Sequence, residues 1–419
     1  MSCIDLSDDF LLEGTDLKNF FCIVDELATN TTAKTMLTTQ MELLPVVDAN
    51  VIKNSFIPNL SFSGVVKPDS EITNQEIICL GQIRSYFSEA PPTLQGISLN
   101  QVLEKGGSKA LFEEAKEKSR LFIRYEDQFY FTSPKLPETL CARVQMFGGC
   151  VYDNSLERAA FIMSRLRQET QRVTALIRTL PGSSIRKIMI LGSENYVYVP
   201  QTFFKKTIYA LQSAIGEEVV CQRWRIDPFI STIYFSFPKL GKKLQQQYSL
   251  PDFLIPGICL TTSDTYDASI SARPTWQIGK AIVEGHGILM AHDNKVSLQR
   301  FNREIKKEII DRFPEFLQHL GTFRDVYVSD PEKTLSHLFV RLKVMKAVGK
   351  KRTLTLIPER AEDLRNDRCC AYDLILNLLQ LPADCSLSES SAKKLRRAVY
   401  DAVFLDEKQY GKKTVDRAE

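Results

Sequence analysis

The chain lacks long apolar runs. No stretch approaches the ~18–20 consecutive apolar residues that cross a bilayer, so no membrane partner is expected. Histidine is scarce: His286, His292, His319 and His337 are the whole set, none is near paired cysteines, and a zinc site has little support. Ten cysteines are present, yet no Cys-x-x-Cys spacing occurs, and only Cys369-Cys370 are adjacent. That pattern reads as free, mostly buried thiols in a reducing compartment. There is no Walker-type phosphate loop, no Gly-x-Gly-x-x-Gly after a strand, no Gly-x-Ser-x-Gly elbow and no His-Glu-x-x-His helix. Enzyme classes that carry those fingerprints are disfavoured, and no cofactor is expected. Residues Met1 to Asp9 hold acidic side chains where a signal peptide would be basic, so a cytoplasmic protein is expected.

What is present is the composition of a soluble globular protein: 419 residues, 44% hydrophobic and 25% charged, long enough for two or three packed subdomains. Net charge is +3 but unevenly spread, with 13 acidic and 5 basic residues up to Ala90. The positive remainder points either to an anionic partner or to packing of the acidic front against it. The reading divides the chain into an acidic N-terminal arm or subdomain (1–95), an α+β core (96–325) and a mainly helical C-terminal region (326–419).

Turn and cap signals place the elements. A helix is expected over Leu17–Ala28, another within Leu99–Lys118, and a strand pair over Leu121–Phe131 turning at Glu126-Asp127. Ser155–Leu180 reads as the best long helix, capped by Ser155, with Ala159, Ile162, Met163, Leu166, Val173, Ile177 and Leu180 on one side. Lys187–Leu191 and Tyr196–Val199 read as short strands. Pro200 suits the first turn of a helix that Gly216 ends. Val219–Ile226, Ser231–Phe237, Phe253–Thr262 and Ala268–Ile278 read as strands, with Lys239–Ser249 as a basic loop. Leu298–Phe313 is an amphipathic helix, Asp330 to Gly349 another, and further helices lie near Cys370–Leu381 and Ser390–Leu405. The expected fold class is α+β: a central, mostly antiparallel sheet flanked by long amphipathic helices, with a smaller acidic N-terminal subdomain.

Tyr196-Val-Tyr-Val-Pro200, the helix ending at Gly216-Glu217-Glu218, the strands with Arg223-Trp224 and Tyr234-Phe235, and Gly257-Ile-Cys-Leu-Thr-Thr-Ser-Asp264 together resemble a large family of phage- and plasmid-borne proteins of unknown function. That family has a polar Asn-Ser-x-Asp-Gly-Ser-type turn where this chain has Thr262-Ser263-Asp264-Thr265-Tyr266-Asp267-Ala268-Ser269. It continues into a Cys-Asn motif, which Arg273-Pro-Thr-Trp276-Gln-Ile-Gly-Lys280 lacks. The likeness covers roughly residues 190–310 and, less closely, 365–405. It implies a mobile-element origin and DNA metabolism, and it transfers no catalytic residue.

Candidate binding residues are cationic. Arg158, Arg165 and Arg172 are spaced by seven and would line one stripe of the Ser155–Leu180 helix, tracking phosphates or forming a solvated flank. Arg223 and Arg225 bracket Trp224, Lys242 and Lys243 precede three glutamines, and Lys350, Lys351 and Arg352 end a basic run that starts at Arg341. Cations beside aromatics suit single-stranded nucleic acid, although aromatics on strands usually pack in the core. Asp264 and Asp267 share a turn that could hold Mg²⁺ or simply favour local hydrogen bonds. His286 and His292 flank Gly287 and Asp293, but no third ligand is evident and no metal site is expected. The reading favours a non-enzymatic accessory protein that contacts single strands in replication or recombination. Its alternative is a self-associating assembly or host-interaction protein.

Overall fold

Asp16 opens the first helix: its carboxylate accepts a hydrogen bond from the Lys18 amide at 2.9 Å, satisfying one free first-turn donor. The computed structural model describes residues 10–48, 77–79, 120–126, 128–143, 170–179, 186–196, 198, 200–250, 254–263, 269–291, 298–364, 369–410 and 412–413. A short strand, β1 (Leu12–Gly14), precedes that helix, α1 (Leu17–Thr29), which buries Phe20, Ile23, Val24 and Leu27 at helical spacing. Strands β2 (Thr31–Leu37), β3 (Glu42–Asp48), β4 (Ile77–Cys79), β5 (Arg120–Tyr125) and β6 (Gln128–Thr132) follow, then helix α2 (Leu136–Arg143) and strands β7 (Arg172–Thr179) and β8 (Arg186–Ser193).

Helix α3 (Pro200–Ile215) starts at the expected proline and stops at Gly216, whose φ of +72° is left-handed backbone that a glycine adopts without steric cost. Strands β9 (Val220–Ile226) and β10 (Ile230–Ser236), helix α4 (Pro238–Tyr248), and strands β11 (Leu254–Ser263), β12 (Ser269–Ile278), β13 (Ala281–Glu284) and β14 (Ile288–Ala291) come next. The C-terminal part holds helices α5 (Leu298–Glu308), α6 (Phe313–Thr322), α7 (Pro331–Arg341), α8 (Val344–Val348), α9 (Lys350–Glu362), α10 (Ala371–Asp384) and α11 (Glu389–Tyr400), with the two-residue strands β15 (Val326–Tyr327) and β16 (Lys412–Lys413) paired to each other.

The class is α+β, with two seven-stranded sheets. The first runs β1-β9-β10-β11-β12-β13, with β14 also on β12, and every pairing is antiparallel. The second runs β2-β7-β8-β6-β5-β3-β4 and is antiparallel except for β6 beside β8. Trp224, Ile226, Ile233, Phe235, Ile258 and Leu260 of the first sheet join one buried cluster that extends from Phe10 to Tyr410 and includes the apolar sides of α1, α3, α5, α6 and α10. That cluster crosses residue 325 without a break, since Phe323, Val326, Val328 and Leu335 all belong to it. Stacking of Trp276 on Phe316 (centroids 4.7 Å apart, planes at 17°) ties β12 to α6. The second sheet has its own core, with Met36, Ile123, Tyr130, Val173, Ala175 and Ile188.

Several expectations are corrected. Residues 172–179 of the expected Ser155–Leu180 helix form strand β7, because Val173, Ala175 and Ile177 bury on one face and Leu176 on the other. Lys187–Leu191 is a strand as expected, but it belongs to the second sheet and not to the same sheet as the strands from Val219 to Ile278. Lys239–Ser249 is mostly helix α4, begun by Pro238 and closed by Ser249 in left-handed backbone at φ +50°. The expected helix from Asp330 to Gly349 is split into α7 and α8 by Lys343, which is left-handed at φ +57°. Helix α9 was not expected at all. Tyr196–Val199 forms none of the named strands, with Val197 and Val199 outside the described residues. The expected helix within Leu99–Lys118 also lies outside the described residues. Among the described residues, no helix is long and apolar enough to cross a membrane.

Candidate functional site

Directly paired residues in an antiparallel sheet point to the same side, so the register assigns side chains to faces. One row across four strands is Arg223 (β9), Tyr234 (β10), Cys259 (β11) and Arg273 (β12). The next row is Arg225, Thr232, Thr261 and Ser271. Both rows lie on the side opposite Trp224, Ile233, Leu260 and Ala272, which face the main core. The first sheet therefore has one apolar face and one studded with cations and hydroxyls.

Helix α11 covers that polar face. Glu389, Lys393 and Arg396 are spaced by four and three and so share a side of the helix. Arg396, only 6% exposed, donates through Nη1 to the Tyr234 hydroxyl (3.1 Å), to Glu284 Oε1 (2.9 Å) and to Glu389 Oε1 (3.0 Å). The Tyr234 hydroxyl donates in turn to Glu284 Oε1 at 2.7 Å. Burial opposes ionisation of Glu284, but the Arg396 guanidinium and the Tyr234 hydroxyl outweigh it and hold the carboxyl below its ordinary value. Burial likewise works against the charge on Arg396, and its buried partners more than compensate, raising its pKa. Burial drives the Tyr234 phenol well above its ordinary value.

Between sheet and helix lies a cavity of about 420 Å³, lined among others by Arg223, Arg225, Arg273, Thr232, Thr261 and Lys393. Its outer wall is β1. A Cβ on Gly14 would meet the Trp224 ring at 2.5 Å, so only glycine lets β1 lie against the indole, whose Nε1–H donates to the Asp16 carbonyl at 2.8 Å. Its lower edge is the β9–β10 turn, where the Asp227 carboxylate accepts from the Phe229 and Ile230 amides. The second sheet braces that turn: Arg178 of β7, 2% exposed, donates to the Pro228 carbonyl at 2.8 Å.

The cations of this cavity are unequally matched. Arg225 is shared by Glu13 at 3.6 Å and Glu389 at 3.7 Å. Arg223 lies over the Tyr234 ring at 4.3 Å, a cation–π contact, and its Nε–H is buried without an acceptor. Arg273 has a buried Nη1 without an acceptor, and the Ser271 hydroxyl, in a residue 1% exposed, also has no partner. No ion pair of the described residues involves Arg223, Arg273 or Lys393. Burial lowers the Lys393 pKa first, and the Arg273 charge lowers it further; Arg397 is shifted downward by the same two causes. Cys259 is the cavity's thiol, pushed up to about 11 by burial and then by Glu284. At neutral pH it is protonated and not a nucleophile.

Of the residues singled out from sequence, the structure brings Arg223 and Arg225 into one site. Arg172 sits at the start of β7 beside Glu194 at 3.5 Å, on a strand and not on the expected helix, while Arg158 and Arg165 lie outside the described residues. Lys242 and Lys243 are exposed on α4, not on a loop. Lys350, Lys351 and Arg352 form the exposed first turn of α9, with Arg352 paired to Glu359 at 3.4 Å. Asp264, Asp267 and His292 lie outside the described residues, and His286 is exposed and bonded to Asp401 at 3.0 Å. Sequence reasoning missed Arg273, Glu284, Lys393 and Arg396. For Arg273 the available signal was the alternation Cys259-Leu-Thr261 and Ser271-Ala-Arg273, which matches Arg223-Trp-Arg225 and Thr232-Ile-Tyr234 in period; Glu284, Lys393 and Arg396 lie outside it. Compared with known proteins, the chain matches no family model, no curated protein and no solved structure.

Proposed function

We propose that the protein binds a small organic anion in the cavity between the polar face of the first sheet and α11, and does not transform it. The observation that carries this reading is the gathering of Arg223, Arg273 and Lys393 in one recess with no carboxylate at ion-pair distance among the described residues. Buried cations ordinarily have matched counter-charges, because an unpaired charge removed from water is costly. A ligand anion supplies the missing charge and the acceptors for Arg223 Nε and Arg273 Nη1. A volume of about 420 Å³ lies in the range of small-molecule sites, ≈300–1,000 Å³. Binding without chemistry fits a thiol and a phenol both held protonated by burial. Isothermal titration with small carboxylates and phosphates should give saturable heats that Arg273→Leu abolishes. Absence of heat with every anion at low salt would remove the reading.

A second reading, contact with single-stranded nucleic acid, is supported by a different place. Lys343, Lys346, Lys350 and Lys351 are exposed over the α7–α8–α9 elbow, and none is in an ion pair among the described residues. The likeness to phage- and plasmid-borne proteins supports it too. Anisotropy of a labelled single-stranded oligonucleotide should rise on binding and fall steeply with salt. Joint substitution Lys350→Glu with Lys351→Glu should weaken that binding; an unchanged affinity counts against the elbow.

A further inference from the structure

We infer that the anion is a phosphate monoester, with its phosphate held between Arg273 and Lys393 and its organic body extending towards Thr15 and Ile230; this rests on the reading of the cavity as an anion site. The first argument is charge. Three carboxylates, Glu13, Glu284 and Glu389, pair with Arg225 and Arg396, Glu389 being shared by both. With Arg223, Arg273 and Lys393, five cations face these three carboxylates, a surplus of two positive charges; Asp227 at the edge is turned to the Phe229 and Ile230 amides, and Arg397 is electrostatically coupled to Arg273. A carboxylate brings one negative charge to this surplus. A phosphate monoester brings about −1.5 to −2 at neutral pH.

The second argument is direction. The unmatched donors come from three elements: Arg223 from β9, Arg273 from β12 and Lys393 from α11. A planar carboxylate offers two oxygens in one plane, whereas a phosphate monoester offers three terminal oxygens diverging from phosphorus. Three divergent acceptors match three donors placed around a recess better than two coplanar ones. The hydroxyls of Thr232 and Thr261, 3.3 Å apart and on the adjacent row, complete a polar floor, and the unpartnered Ser271 hydroxyl sits beside Thr261 in the same row.

The third argument is room. The cavity exceeds what a bare inorganic ion fills, and its lining includes uncharged groups, Gly14, Thr15 and Ile230, beside the cations. An ester whose body is a sugar or nucleoside has both a charged head for the cations and a larger, less polar remainder for the space beside Thr15 and Ile230.

The test uses the full chain and four probes at one ionic strength: inorganic phosphate, a hexose phosphate, adenosine monophosphate and glucuronate, each titrated calorimetrically. At least one monoester should bind about tenfold or more tighter than glucuronate, and its affinity should fall below about pH 6 as the phosphate loses its second charge. Arg273→Leu and Lys393→Met should each weaken the monoester about tenfold or more, while Arg225→Ala, at a residue already paired with carboxylates, weakens it far less. If Arg273→Leu does not fold, Arg273→Lys keeps the charge, loses the fork of donors, and should still lose affinity. The stronger monoester identifies the organic body. Glucuronate binding as tightly as the monoesters overturns the phosphate assignment and leaves the anion site standing. No binding by any probe overturns both.

Discussion

Both sheets are buried on two faces over their middle strands, yet they fill those faces differently. In the second sheet, β7 sends Val173, Ala175 and Ile177 into one apolar cluster and Leu176 into another with Met189 and Ile190. In the first sheet, β9 to β12 send Trp224, Ile233, Leu260 and Ala272 to an apolar core and Arg223, Tyr234, Cys259 and Arg273 to the opposite side. An apolar face roofed by apolar groups leaves nothing for a ligand to satisfy. A polar face roofed by a helix leaves donors and charges that the fold itself does not fully match. The second sheet is a scaffold, and through Arg178 it steadies the turn at the edge of the site.

The difference predicts where stability depends on charge. Arg396→Ala should be the most damaging single change, at about 3–5 kcal/mol, because it strips the buried Glu284 (0% exposed) of its hydrogen-bonded cation. Urea denaturation measures this. The paired change Glu284→Leu with Arg396→Leu should recover much of the loss, since an apolar pair needs no solvation. A double variant as unstable as Arg396→Ala alone would show that the polar roof is not held by this ion pair. Glu284 also contributes to acid behaviour: its folded pKa is depressed, so its stabilisation is present above its unfolded value and is lost as pH falls through the folded one.

On the scaffold side, Leu176→Ala should cost about 2–5 kcal/mol by leaving a cavity against Met189 and Ile190, both nearly inaccessible to solvent. Anion binding at the first sheet should survive in the fraction that remains folded. Loss of affinity in that folded fraction would mean that the two sheets are coupled more tightly than the Arg178 hydrogen bond suggests.

The same contrast explains what could be read from the chain. Helix α3 was legible because Pro200 and Gly216 mark its ends by local chemistry, and α7 because Asp330 caps it, accepting from the Lys333 amide at 3.0 Å. Strands β9 to β12 were legible because one face is apolar and the other polar, which writes a period of two into the sequence. Strand β7 was not. With both faces apolar it shows a continuous run, and Val173 and Ile177, four apart, satisfy a helical pattern as easily as a strand. Helix α4 was missed for the reverse reason. It buries only Gly241 and Leu244, so no apolar stripe appears, and Gly241 lies 3.0 Å from the Leu254 carbonyl measured at the position of an added Cβ. At the site, Arg223 and Arg225 stood out as cations, but Arg396 meets Tyr234 across 162 positions of sequence. Register and helix docking decide such a meeting, and neither is written locally.

A smaller effect separates the faces by pH. Cys259 on the polar face is pushed up to about 11 from an ordinary value of 9.0. The folded state keeps this proton where the unfolded chain releases it. Its contribution is therefore complete below pH 9.0 and is lost as pH rises from there through about 11, on the order of 2–3 kcal/mol in all. Cys221 and Cys369 are raised to about 11 as well, so the alkaline decline is shared. Cys259→Ala should make the fall in stability over that window shallower without removing it. An identical pH profile in the variant would show that the thiol titrates freely in the folded protein.

The smallest effect is expected where the sequence first pointed. Arg172 was one of three arginines on an anticipated helical stripe, and it now begins a strand of the scaffold sheet with 67% of its side chain exposed. Its partner Glu194 is 53% exposed and 3.5 Å away, an ion pair in a solvent that screens it and competes for both ends. Arg172→Ala should change stability by no more than about 0.5 kcal/mol and leave affinity for every anion unchanged. Arg273→Leu makes the opposite pairing of outcomes: binding falls while stability changes little, because the variant is relieved of repulsion from Lys393 and Arg397 as it loses attraction to Glu284. Measured together, the two arginines tell a solvated charge on a scaffold from an unmatched charge in a site. If Arg172→Ala weakened anion binding as much as Arg273→Leu, the division of labour between the two sheets would be wrong.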